Sequence, residues 1–241
     1  EGAEVFYKDV GKDLAAVRPS LKTRGGELEV VENGLKFEVS PGKGGKGGLF
    51  LDQRENREQV ERRAKGKTVL NLFGYTGGFS LYAARGGAVA TDTVDTARPA
   101  LAAARRNFER NGLSLEAAHF HAMDAFEFLE RAAKAKRRWD LVISDPPSFA
   151  PRKSAREAAR GAYLRLHRLA AAVTAPGGLL CAASCSSHIR REEFEGLVEG
   201  GVRRAGRRIR LEPLRGAGFD HPVVSAFPEG DYLKFALGTI S

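Results

Sequence analysis

From residue 67 to the C-terminus, short apolar runs alternate with longer helical patterns, and this narrows the fold more than any other feature. The runs fall at Thr68-Val69-Leu70-Asn71-Leu72-Phe73, from residue 88, at 117–121, at 139–144 and at 179–183, with two more at 208–212 and 232–239. Helical patterns separate them, around 81–85 and at 97–111, 125–136, 155–174 and 191–205. Gly112 and Pro176-Gly177-Gly178 mark two of the helix ends. Strands joined through helices run parallel, and the helices cover both faces of the sheet. The pattern predicts an α/β fold with a doubly wound, mostly parallel, seven-stranded sheet.

Residues 1–47 read differently. Glu27-Leu28-Glu29-Val30-Val31 and Leu35-Lys36-Phe37-Glu38-Val39 alternate apolar and charged residues around Glu32-Asn33-Gly34, which predicts a hairpin. Pro41-Gly42-Lys43-Gly44-Gly45-Lys46-Gly47-Gly48 reads as a basic, flexible joint. The expected organisation is a hairpin extension over residues 1–47 and one domain over residues 48–241. No apolar run approaches the ~20 residues that span a bilayer. Two cysteines without a secretory signal suggest free thiols in a reducing cytoplasm. The net charge of +9 favours a polyanionic partner. Most basic clusters fit solvated helix faces. Arg152, Lys153, Arg156 and Arg160 differ, because they follow the acid-proline motif described next.

In doubly wound folds ligands sit beyond the carboxyl ends of the strands, near the point where strand order reverses. The residues that follow each strand are therefore the candidates. After the first come Phe73-Gly74-Tyr75-Thr76-Gly77-Gly78, whose glycines allow a tight turn and close backbone approach. This is neither a dinucleotide fingerprint nor a phosphate loop, which argues against NAD and ATP. After the second comes Asp95, eighteen residues beyond Gly77 and suited to accept from two ribose hydroxyls. Asp92 is its competitor. After the third comes Asp124, a candidate acceptor for an adenine amine and equally a helix N-cap. After the fourth come Asp145-Pro146-Pro147-Ser148-Phe149. The prolines remove two backbone donors and leave carbonyls free for an exocyclic amine.

After the fifth come Ser184-Cys185-Ser186-Ser187-His188. A cysteine thiol has a pKa near ~8.5 and reacts as the thiolate. Cys181 lies inside the strand and reads as core, whereas Cys185 stands at its end among hydroxyls. Cys181, Cys185 and His188 lack the number and spacing of zinc ligands, so no metal is expected. His119, His121 and His167 read as surface or packing residues.

With these residues in order, the chain resembles the class I S-adenosylmethionine-dependent methyltransferases that form 5-methylcytosine in bacterial 23S ribosomal RNA. The matching segments are GGLFLDQRENR (47–57), VLNLFGYTGGFSLYAARGGA (69–88), VDTARPALAAARRNFERNGL (94–113), DAFEFL (124–129), DLVISDPPSFA (140–150), GGLLCAASCSSHI (177–189) and HPVVSAFPEGDYLKF (221–235). The resemblance implies a Rossmann-like sheet and S-adenosylmethionine as cofactor, with S-adenosylhomocysteine as product. It implies that Phe73, Tyr75, Thr76 and Gly77 line the methionine part, with Asp95 on the ribose and Asp124 near the adenine. Asp145 and Pro146 would hold the target base, with Asp145 also at the cofactor, and Cys185 would be the nucleophile. Arg54 would close over cofactor or RNA, and Pro222 and the Pro228-Glu229 turn would complete the wall. The partner that the resemblance implies is RNA, and ribosomal RNA in particular. Family members usually begin with an RNA-binding PUA domain, which has no counterpart here, and read Gly-Gln-Lys-Thr-Gly where this chain has Gly44-Gly45-Lys46-Gly47-Gly48. A guanine nitrogen or a small molecule are the alternative methyl acceptors.

Overall fold

The computed structural model describes residues 28–39, 48–223 and 230–241. The glycine-rich joint up to residue 47 and the Pro228-Glu229 turn lie outside these residues. Strands β1 (Leu28–Glu32) and β2 (Leu35–Val39) pair antiparallel, closed by Asn33 and Gly34 at φ 49° and 80°. Both central residues of this tight turn are left-handed, as the Asn-Gly pair predicts.

The second sheet holds β3 (Thr68–Leu72), β4 (Ala90–Asp95), β5 (Ala118–Ala122), β6 (Trp139–Ser144), β7 (Thr174–Ser184), β8 (Ile209–Leu211) and β9 (Lys234–Ile240). Their order is β5-β4-β3-β6-β7-β9-β8, parallel except for β9, which runs antiparallel to both neighbours. The expected seven-stranded, doubly wound sheet is present. Helices α1 (Arg54–Glu61), α2 (Gly78–Arg85), α3 (Arg98–Arg110), α4 (Ala125–Lys134), α5 (Arg156–Val173) and α6 (Arg191–Arg204) accompany it.

Side chains alternate across the sheet with period two. Leu70, Leu72, Val142 and Leu180 join a core with α4 and α5, while Val69, Leu141, Ile143, Cys181 and Ala183 join one with α1 and α2. The hairpin packs on this frame: Leu35, Phe37 and Val39 are buried with Tyr82 of α2 and Phe108 of α3. Beneath it, the Arg57 guanidinium donates to both carboxylate oxygens of Glu32 at 2.9 and 2.7 Å, and the Tyr82 hydroxyl donates to the same carboxylate.

Two strand starts and one helix stand out as departures from the sequence expectation. The second strand starts at Ala90, after a turn at Gly86-Gly87 and a bend at Val89, whose N–H donates to the Lys67 carbonyl. The fifth strand starts at Thr174 and runs through Pro176-Gly177-Gly178, with a register irregularity opposite β6 absorbing the insertion. Helix α1 was not anticipated, because its buried residues are Asn56, Arg57 and Val60 and offer little hydrophobic period.

The strand order reverses between β3 and β6. The connection from β3 leads outward to β4, while the one from β6 leads the other way to β7. Leu72 pairs with Ser144, so the loop at Phe73 and the carboxylate of Asp145 emerge side by side at this switch point.

Candidate active site

A cavity of about 500 Å³ opens at the carboxyl ends of these strands, within the range of small-molecule sites. The β3 loop forms its floor. Phe73 and Tyr75 hold φ of 57° and 48°, which bulky residues seldom adopt, and such outliers cluster at functional sites. The loop is pinned from below. Gly74 N–H donates to the Val94 carbonyl and Tyr75 N–H to Asp95 Oδ2 at 2.9 Å. A Cβ on Gly74 would lie 2.5 Å from the Thr93 side chain, so only glycine passes there.

Asp95 ends β4 and lines the cavity. Its other oxygen accepts from Ala97 N–H at 2.8 Å, so two backbone donors fix the carboxylate while leaving lone pairs for a ligand. Asp92 takes a different role. It is buried beneath the sheet end and accepts from Trp139 Nε1 at 2.8 Å, with His121 Nε2 at 2.6 Å. Burial raises its pKa, but bonds to His121 and Trp139 outweigh this and hold it below the usual carboxylate value.

The opposite wall comes from β6 and β7. Asp145, Pro146, Pro147 and Ser148 line it together with Cys185. The two loops are tied by hydroxyls: Ser148 Oγ and Ser186 Oγ lie 3.0 Å apart, and the Tyr163 hydroxyl bonds Ser184 and Ser186 at 2.8 and 3.1 Å. Cys185 is thus held between two anchored serines. Burial pushes its thiol above the ordinary cysteine range, and the Asp145 charge adds to this, so the surround does not favour the thiolate. Cys181 faces the core, where burial pushes its pKa to about 12.

The structure gathers Phe73, Tyr75, Thr76, Asp95, Asp145, Pro146 and Cys185 around one cavity. Three other expected residues lie elsewhere. Gly77 caps α2 at φ 80°, where a Cβ would meet Ala104 at 2.9 Å, which suits a packing role. Asp124 is exposed and caps α4, accepting from Phe126 N–H and Glu127 N–H. Arg54 turns to a neighbouring groove, pairing with Asp220 at 2.8 Å and lying over the Phe219 ring. Of the basic residues after Asp145, Arg156 and Arg160 pair with Glu193, leaving Arg152 and Lys153 exposed. Pro222 is exposed.

Other lining residues escaped the sequence reading. Asp52, Gln53 and Arg57 come from the turn and helix beside the hairpin, and Tyr232 and Leu233 precede β9. Tyr232 donates to Asp52 at 2.7 Å, joining these two wall segments. In the segment Leu51-Asp52-Gln53-Arg54 it is Asp52 and Gln53, not Arg54, that line the cavity. Because β9 runs antiparallel, its start reaches the rim, so Tyr232 lies there ahead of its strand, whereas the other candidates follow theirs.

The family model for S-adenosylmethionine-dependent methyltransferases matches residues 20–213. A ribosomal RNA large subunit methyltransferase of Deinococcus radiodurans is 47% identical over 205 residues, covering 84% of this chain and 49% of that protein. Ribosomal RNA large subunit methyltransferase I of Pseudoalteromonas translucida is 39% identical, covering 85% of this chain and 52% of that protein. The chain thus spans about half the length of these curated relatives. A solved methyltransferase complexed with S-adenosylhomocysteine superposes at a TM-score of 0.78 with 32% identity, covering 88% of this chain and 56% of that one.

Proposed function

The chain belongs to the S-adenosylmethionine-dependent methyltransferase family, and on that premise we propose that it forms 5-methylcytosine in ribosomal RNA through a covalent adduct at Cys185. One observation carries this reading: Asp95 on the floor and Cys185 on the wall line the same cavity, and the Asp145-Pro146-Pro147 turn shares that wall with the thiol. The names of the relatives support ribosomal RNA as the substrate.

The residues present fit the cofactor. A fixed carboxylate with spare lone pairs suits a ribose diol, and the aromatic Phe73 and Tyr75 on a strained loop suit the methionine part. When bound there, S-adenosylmethionine supplies the electrophilic methyl group that an activated cytosine C5 takes up.

The protein's own residues activate that carbon. The target cytosine leaves its stack and enters the cavity. The Cys185 thiolate forms a bond to C6, which places an electron pair at C5. As the thiolate adds, N3 takes up a proton from solvent, so the adduct carries no net charge, and Asp145 accepts hydrogen bonds from N3–H or the exocyclic amine until N3 returns that proton at the end. Loss of the C5 proton to a base then returns the ring's electrons and expels the Cys185 thiolate. Pro146 and Pro147 contribute no competing backbone donors at this edge.

The test is methylation of ribosomal RNA with methyl-labelled cofactor, followed by nucleoside analysis. Label in 5-methylcytidine is expected. Label on a guanine nitrogen would overturn the cytosine reading, and transfer only to small molecules would overturn the RNA reading.

A further inference from the structure

Lys234 is fully buried, yet it takes no part in the mechanism above. Its Nζ donates to the Ser186 carbonyl at 2.6 Å and to the Tyr232 carbonyl at 2.7 Å. Among the described residues it forms no ion pair. A buried ammonium served only by carbonyls is costly, because it has left water without meeting an opposite charge. Its position is set by the sheet. Lys234 pairs in register with Ser184, immediately before Cys185, and its carbonyl partner Ser186 immediately follows Cys185. The antiparallel entry of β9 therefore delivers a cation to the segment that carries the half-buried Cys185 thiol.

We propose that the Lys234 ammonium is the countercharge of the Cys185 thiolate and positions it for reaction. The thiol proton passes to solvent, no bond to Lys234 forms, and the fixed cation then faces the new anion. This rests on the covalent reading of the same site. The neighbouring charges sharpen the assignment. Asp145 and Asp52 both disfavour the thiolate, and Lys234 counters them. The lysine pKa falls to about 8: burial is the largest influence, Cys185 and Asp231 oppose it, and Arg191 adds to it. The Tyr163 hydroxyl is engaged by serines and that of Tyr232 by Asp52.

The test reads thiol ionisation and needs no RNA. Alkylation of Cys185 by iodoacetamide is followed against pH by peptide mass spectrometry in the wild type, Lys234→Met and Lys234→Arg. Lys234→Met should move the midpoint upward by about one pH unit, roughly tenfold slower alkylation near neutral pH, and Lys234→Arg should restore most of it. Superimposable wild-type and Lys234→Met profiles in folded protein would overturn the proposal, as would an arginine variant no better than methionine. Should Lys234→Met fail to fold, the coupling is read from the other side. The lysine Cε resonance of Lys234 is titrated in the wild type and in Cys185→Ser. A lower midpoint in Cys185→Ser supports the pair, and an unchanged midpoint overturns it. If alkylation follows this pattern while RNA carries no 5-methylcytidine, the cytosine reading fails and the Lys234–Cys185 pair stands.

Discussion

The two halves of the cavity are built by different means. The floor, from β3 and β4, is held by backbone: left-handed Phe73 and Tyr75, main-chain bonds from Gly74, and a carboxylate clamped by two amides. The wall, from β6, β7 and the start of β9, is held by side chains: Ser148, Tyr163, Ser184, Ser186 and Lys234 converge around Cys185. A backbone cradle suits a cofactor whose identity never varies. A side-chain network can tune the charge of one reactive atom. The difference predicts that damage to the floor is read in cofactor affinity and damage to the wall in transfer.

The sharpest way to break this division is to remove one anchor from each half. Cys185→Ala should abolish methyl transfer to RNA while calorimetry shows S-adenosylmethionine binding intact. Asp95→Ala should instead weaken cofactor binding by roughly tenfold to a hundredfold, the ~1.5–3 kcal/mol carried by hydrogen bonds to a charged group. If Cys185→Ala retains turnover, or Asp95→Ala retains affinity, the two halves do not divide the work in this way. The smallest effect is expected from Tyr163→Phe. Loss of the hydroxyl shared by Ser184 and Ser186 should cost about 1 kcal/mol in urea unfolding and slow transfer, with cofactor affinity unchanged. A drop in affinity without slower transfer would place Tyr163 on the wrong side of the comparison.

The floor was the more legible half. Glycines after an apolar run and an acid at a strand end are local signals, and parallel topology places them at one rim. Asp95 was separable from Asp92 by its position before a helix, although only the structure shows Asp92 bonded to Trp139 under the sheet. In the wall, Asp145-Pro146-Pro147 and Cys185 were legible for the same local reason. Lys234 and Tyr232 were not, because their place depends on one antiparallel strand arriving between β7 and β8, and period-two patterning carries no strand direction. Helix α1 was obscured by its polar buried face. Its Arg57 is spent on Glu32, a hairpin contact that no local pattern reveals.

The central claim is that the wall performs covalent chemistry on a cytosine whose methyl donor lies on the floor. Ribosomal RNA transcribed with 5-fluorocytidine tests it most directly, because fluorine at C5 cannot leave as a proton and the adduct is trapped after methyl transfer. The account predicts a cofactor-dependent, denaturant-resistant RNA–protein species whose crosslinked peptide contains Cys185 and which is absent in Cys185→Ala. Methylation of unsubstituted RNA by this chain, with no such species formed on the fluorinated RNA, would contradict it.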